Sequence, residues 1–256
     1  MYDDRDTIDA VETSFAVLER LNESGGAGVT ELAEEIGVAK STVHGHLSTL
    51  QSLGYVTREG DEFDVALRFL DLGNAARERS ALYRVAREKA DEIAAETDEK
   101  VWVFAEEHGR GIHLYLASGE QSVRTYARTG QPNYLHQLAG GKAILAGLPD
   151  DRVDAVVDRH GLPARTDETI TDRDDLFAEL GRIRERGFAQ NDGESIPGLR
   201  AVGVPITNAD GVAIGALSVS GPEKRLRGER FDEEIPNLLL GSVNEIEINM
   251  AYADER

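Results

Sequence analysis

The chain of 256 residues contains no cysteine. Disulfides, thiolate metal centres and cysteine nucleophiles are therefore excluded. No apolar run approaches the roughly 20 residues a membrane span needs, and no signal peptide opens the chain. A cytoplasmic protein without a membrane partner is expected. A Walker loop, a GxSxG elbow and an HExxH pair are all lacking, so nothing points to an enzyme. The histidines are scattered: His108 and His113 straddle a turn, and His136 and His160 stand alone. Without a tight His/carboxylate cluster, neither a metal nor another cofactor is expected. Lysine is scarce too, limited to Lys40, Lys89, Lys100, Lys142 and Lys224.

What the chain has in excess is acid: 48 Asp and Glu against 28 Lys and Arg, a formal charge of −20. Against that background one stretch organises the rest, Thr30 to Tyr55. A first helix is expected from Thr30, whose hydroxyl can cap it, with Glu31 in its first turn. Leu32, Ala33 and Ile36 form its apolar stripe. Gly37 stops it, since glycine enters the left-handed region without steric cost. A second helix begins near Lys40 or Ser41, and Val43, Leu47 and Leu50 share its buried face. Its other face carries Ser41, Thr42, Gly45, Ser48 and Thr49, with His44 at the flank; His46 lies nearer the buried side. Small and hydrogen-bonding groups suit base edges and phosphates. With Lys40 and Arg58, these residues form the candidate DNA-binding set. Tyr55–Arg58 and Phe63–Val65 read as strands around a hairpin turn at 59–62. Helix, turn, helix and β-hairpin make a winged helix-turn-helix.

Thr30-Glu31-Leu32-Ala33, Gly37-Val38-Ala39-Lys40-Ser41-Thr42-Val43, Leu47, Leu50 and Leu53-Gly54-Tyr55-Val56 resemble the DNA-binding domain of IclR-type transcriptional regulators. Many relatives carry Arg where this chain has Gly45, and Leu where it has His46. The resemblance implies a ligand-responsive regulator that binds a double-stranded operator as a homodimer, with dimers often paired into tetramers. The acidity fits a different reading, a ligand-binding or protein-interaction module whose helix-turn-helix no longer binds DNA. It also fits function in concentrated salt: at molar salt the Debye length is about 3 Å, and acid-rich, lysine-poor chains resemble those of salt-accumulating halophiles.

Ile8, Val11, Phe15 and Leu18 mark a helix over 7–22 packing beneath the motif, and Gly25–Gly28 a flexible turn. After the wing, Leu67–Gly73 resembles the family's end-of-wing signature. Asn74–Thr97, free of Gly and Pro, reads as one long amphipathic helix linking two domains. From Glu99 the period changes to two: strands are expected over 101–106, 111–116 and 123–127, helices over 136–148, 153–159 and 172–186, strands over 188–190, 201–206 and 212–219, and a last helix over 228–250. The expected architecture is α+β: a winged helix-turn-helix (1–73), a linker helix (74–97) and a domain with an antiparallel sheet (98–256). By resemblance the last is a GAF-like effector-binding domain. Its candidate site has three parts. Gly140 and Gly141 at a helix start expose N–H groups that favour an anion, and the resemblance places a small carboxylate against the backbone of Ala139 and Gly140. Asn191 stands where some relatives use an Asp to bind ligand, and Ala201 where others have a pocket Cys; Leu199 and Ala201 would form an apolar wall. Ser218 and Ser220 share a strand face that can point into the same pocket.

Overall fold

The computed structural model describes residues 7–123 and 127–253. It divides into two compact units, 1–76 and 77–256.

The first unit runs α1 (Asp9–Ser24), β1 (Ala27–Gly28), α2 (Val29–Ile36), α3 (Lys40–Ser52), β2 (Val56–Glu59), β3 (Glu62–Val65) and into α4 (Phe69–Arg79). Val43 and Leu47 of α3 are fully buried against Leu21 of α1 and Leu32 of α2 in one core. Burying each is worth about 1.5–3 kcal/mol, which decides which face of α3 looks outward. Gly37 ends α2 at φ +78°, its N–H donating to the Ala33 carbonyl. The wing is the β2–β3 hairpin, and β1 adds a third strand through Ala27↔Phe63 and Gly28↔Glu62.

Three expectations for this unit need correction. Helix α2 starts at Val29 with no side-chain cap from Thr30; the chain enters it directly from the β1 pairing, which sets the start a residue earlier. Gly25–Gly28 is accordingly half helix cap and half strand. On α1 the buried residues are Val17, Leu18 and Leu21, while Ile8, Val11 and Phe15 are 67%, 49% and 57% exposed. The helix therefore carries a second apolar stripe that this unit's core does not use.

Helix α4 begins inside the segment assigned to the end of the wing. The single helix expected over 74–97 is two: α4 stops at Arg79 and α5 spans Ala81–Thr97. At the break the Ser80 hydroxyl accepts the Tyr83 N–H at 3.3 Å, and the Arg84 guanidinium donates to the carbonyls of Glu78 and Arg79. A serine that can satisfy the backbone outside the helix competes with helix continuation. Nor is α5 a bare connector, because Leu82, Ala86, Ala90 and Ile93 are buried in the second unit's core.

That unit continues with β4 (Lys100–Glu107), β5 (Arg110–Ser118), β6 (Pro132–Tyr134), a 3₁₀ turn (Leu135–Gln137), α6 (Ala139–Ala146), α7 (Asp150–His160), α8 (Arg173–Arg186), β7 (Ala189–Asp192), β8 (Leu199–Thr207) and β9 (Ala213–Pro222). A π-helical turn (Arg230–Glu234) leads into α9 (Ile235–Ala253). Among the described residues the strands form one antiparallel sheet in the order β6-β5-β4-β9-β8-β7. One sheet face, through Val101, Val103, Leu217 and Val219, packs under α5 and α9. The other, through Trp102, Phe104 and Ala216, faces α6, α7 and α8. The strand expected over 123–127 rests on residues 124–126, which lie outside the described residues. β6 was not anticipated. The helix expected from His136 is split by Leu138, whose extended backbone (φ −123°, ψ 144°) restarts the chain as α6.

Candidate functional site

The α3 face opposite Val43 and Leu47 presents Lys40, Ser41, Thr42, His44, Gly45, Ser48 and Thr49, all exposed. Thr49 Oγ1 donates to the Gly45 carbonyl at 2.9 Å. Gly45 needs neither a positive φ nor a close neighbour, since a Cβ built there meets nothing within 4 Å. His46 turns to α1, its Nδ1 lying 2.8 Å from Ser14 Oγ. A shallow groove between the two helices is lined by Ala10, Val11, Ser14, Ser41, Thr42, Gly45, His46 and Thr49. Arg58 sits on the wing but is engaged with it: its guanidinium donates to the Gly60 carbonyl, pairs with Asp61 and lies over the Phe63 ring.

In the second unit a cavity of about 300 Å³ opens between the sheet and the start of α6. Its apolar wall is Trp102 and Phe104 from β4 with Leu138, Ile196, Leu199 and Ala201. Its polar wall is His113, Gln131, Asn133, Ser195, Ser218 and Ser220, with Arg165 from the segment between α7 and α8. Ala139 and Gly140 bring in the first turn of α6, where backbone N–H groups have no intrahelical acceptor. That turn is wedged in place. A Cβ on Gly203 of β8 would come within 2.6 Å of the Ala139 carbonyl carbon and the Gly140 nitrogen, and one on Gly140 within 2.6 Å of the Phe104 ring.

His113 is 4% exposed and stacks beside Trp102 and Phe104, ring centroids 4.3 and 4.8 Å away. Burial, reinforced by the nearby Arg165 charge, pushes its pKa down from 6.5 to about 4. The imidazole is thus neutral at pH 7, with Nδ1 accepting from the Asn133 amide at 3.0 Å. Among the described residues, none of those lining the cavity is acidic, in a chain with 48 acids. Among the described residues, Arg165 is the only lining side chain that is charged at pH 7.

A polar frame surrounds the cavity. Lys142 of α6 and Glu194 form a buried ion pair at 2.6 and 2.8 Å. Burial raises the Glu194 pKa, and the Lys142 charge opposes the rise. The segment carrying Arg165 is tied at both ends. The Gln137 amide donates to the Pro163 carbonyl, with His136 Nε2 at 3.1 Å from the same oxygen. Thr166 and Thr169 hydroxyls donate to the carbonyls of Gly193 and Glu194.

Of the residues singled out in the sequence for this site, Ala139, Gly140, Leu199, Ala201 and Ser218 line one cavity, and Ser220 joins them. Two do not. Gly141 is packed against the Leu135 carbonyl, where a Cβ would collide. Asn191 is buried beneath the wall, its amide donating to the Gln137 carbonyl at 2.9 Å, so it holds the 3₁₀ turn and offers no donor to the cavity. Ser218 Oγ also donates to the Val202 carbonyl. Trp102, Phe104, His113, Asn133, Arg165 and Ser195 were not singled out. The alternation of β4 does put Trp102 and Phe104 on one face, but nothing local marks Arg165 or Asn133.

An exposed polar helix in a winged unit, joined to a separate unit with a ligand-sized cavity, defines the class of two-domain DNA-binding regulators. The comparisons with known proteins agree. Residues 10–60 match the IclR helix-turn-helix domain, and residues 75–247 match the family described as bacterial transcriptional regulator IclR, C-terminal. The probable HTH-type transcriptional regulator ArcR of Halobacterium salinarum is 33% identical over 250 residues, 96% of this chain and 95% of that protein. The regulator KdgR of Escherichia coli is 31% identical over 251 residues, 97% and 95% of the two. The crystal structure of Thermotoga maritima IclR superposes with a TM-score of 0.76 at 26% identity, covering 95% of this chain and 99% of that one. The chain belongs to the IclR family: it is a DNA-binding transcriptional regulator with a C-terminal effector-binding domain, and not an enzyme.

Proposed function

We propose that this regulator binds a palindromic operator as a homodimer through α3 and its wing, and that a small carboxylate in the cavity shifts it between DNA-competent and incompetent states. The observation that carries the ligand reading is electrostatic. In a chain of net charge −20 the described residues of the cavity wall include no acid and hold an arginine and the positive end of α6. Ala139 and Gly140 offer backbone N–H groups to the anion, Leu199 and Ala201 form part of the apolar wall, and Ser218 and Ser220 stand beside them on β9, Ser220 paired with Ala201. Ser41, Thr42, His44, Ser48 and Thr49 are the groups that reach the operator, with Lys40 and Gly45 allowing close approach to phosphates. Arg58 supports the wing.

The unused stripe of Ile8, Val11 and Phe15 supports assembly, since a second copy of α1 would bury it, and a twofold dimer matches two operator half-sites. The acidic DNA-binding unit fits work in molar salt, where distant acids are screened within about 3 Å of themselves; similarity to a Halobacterium protein agrees with that.

Trp102 is the chain's one tryptophan and it lines the cavity, so tryptophan fluorescence comes from the cavity wall. Titration in molar KCl with small carboxylates should change Trp102 emission saturably, and the same ligands should alter operator affinity. Responses to neutral ligands only would refute the carboxylate reading. A protein that binds ligand but retains no salt-matched operator affinity would be the interaction module instead.

A further inference from the structure

The segment 161–172 joins α7 to α8, and from it Arg165 reaches the cavity. Two features of this arginine stand out. First, its backbone is anchored by a side chain. Thr169 Oγ1 accepts the N–H groups of Arg165 and Thr166, at 3.1 and 2.9 Å, while donating to the Glu194 carbonyl at 2.8 Å. The residue next to that carbonyl on the chain, Ser195, is itself in the cavity wall, and the Glu194 carboxylate is held by Lys142 of α6. Second, the guanidinium has no carboxylate or carbonyl partner among the described residues. Elsewhere in this acid-rich chain arginines find acids readily: Arg173 meets Asp154 and Asp158, Arg200 meets Asp192, and Arg225 meets Glu99. A guanidinium placed at a cavity, with its backbone fixed and its five donors without an acceptor among the described residues, is organised for an anion that comes from outside.

Resting on the carboxylate reading above, we propose that Arg165 is the residue that selects the effector's charge: it pairs with the ligand carboxylate and so ties the ligand to the 161–172 segment. The effector class is then narrowed to molecules whose carboxylate can be reached from the cavity mouth, and the neutral amide of the same molecule is rejected. Through Thr169 and the Glu194–Lys142 pair, occupancy is registered by the loop after β7 and by α6 together.

The test uses the full chain in molar KCl, with Trp102 emission as the readout. The probes are pyruvate, succinate and benzoate, each beside its amide. Wild type is expected to bind at least one carboxylate about tenfold or more better than its amide. Arg165→Gln should weaken that carboxylate about 10- to 100-fold, leave the amide unchanged and so abolish the preference. Arg165→Lys should restore part of it. Thr169→Val, which frees the segment while keeping the arginine, should weaken the carboxylate more than the amide. Arg165 is exposed, so thermal melting of Arg165→Gln should match wild type. If Arg165→Gln keeps the wild-type preference, the assignment of Arg165 is wrong and the carboxylate reading survives. If wild type binds none of the three carboxylates, both fall.

Discussion

Gly45 gives the sharpest test of how α3 is used. A glycine inside a helix costs about 0.5–1 kcal/mol relative to alanine, because its unfolded backbone has more freedom to lose. Here nothing structural repays that cost: the backbone is ordinary α, and the space where a Cβ would stand is open. Gly45→Ala should therefore stabilise the unit by about 0.5–1 kcal/mol, slowing amide exchange at Val43, Leu47 and Leu50 about 2- to 5-fold in exchange governed by unfolding of that unit. The same methyl points out from the face assigned to DNA, so operator affinity should fall while stability rises. Gly45→Leu, into the same open space, should lower operator affinity by about tenfold or more, since backbone contact with the groove is blocked. Exchange that speeds up in Gly45→Ala would refute the conformational argument. Unchanged operator affinity in both variants would move the DNA surface off this face.

Three further outcomes are expected. Ser41→Ala with Thr42→Ala should weaken operator binding by about 0.5–1.5 kcal/mol per lost hydrogen bond in a salt-matched titration, with secondary structure and oligomeric state unchanged. If wild type is the proposed dimer, Val11→Glu with Phe15→Glu should give a monomer by light scattering, since both residues are exposed in the single chain and their loss disturbs no core. His113 has a folded-state pKa of about 4 against an ordinary 6.5. The unfolded chain therefore binds more protons in that window, and stability should be full above pH 6.5 and fall by about 3 kcal/mol as the pH drops to 4 and below. His113→Asn should flatten that part of the urea-denaturation profile, and an unaltered slope would place the acid sensitivity elsewhere.

The parts of the molecule legible in the chain were those written in local pattern. Val43, Leu47 and Leu50 at helical spacing, Gly37 as a stop, and the alternation through Val101–Glu106 each identify an element from a few neighbours. What escaped depends on contacts distant in sequence. Ile8, Val11 and Phe15 are as periodic as Val17 and Leu21, and periodicity alone cannot say which stripe meets this chain's own core. Ser80 looks harmless inside an amphipathic run until Arg84 is seen to cap the carbonyls before it. The candidate site divides in the same way. Its helix start was readable from Gly140 and Gly141, yet only one of those glycines faces the cavity; the other is needed for packing against Leu135. Arg165 and Asn133 come from segments without periodicity, and are recruited by ties to Glu194 and His113 that no local rule foretells.

The wedged start of α6 also sets rules for anyone who would retarget this protein. Gly140, Gly141 and Gly203 leave no room for even one added carbon, because the atoms they would strike are backbone or the buried Phe104 ring. That end of the cavity is a fixed die. Variation in ligand preference has to be cast from the lining residues Arg165, Ser195 and Ile196, which stand on connecting segments instead of strands or helices. A combinatorial library restricted to those three positions would explore new effectors with the start of α6 untouched, whereas one that includes the glycines would be filled mostly with chains unable to fold.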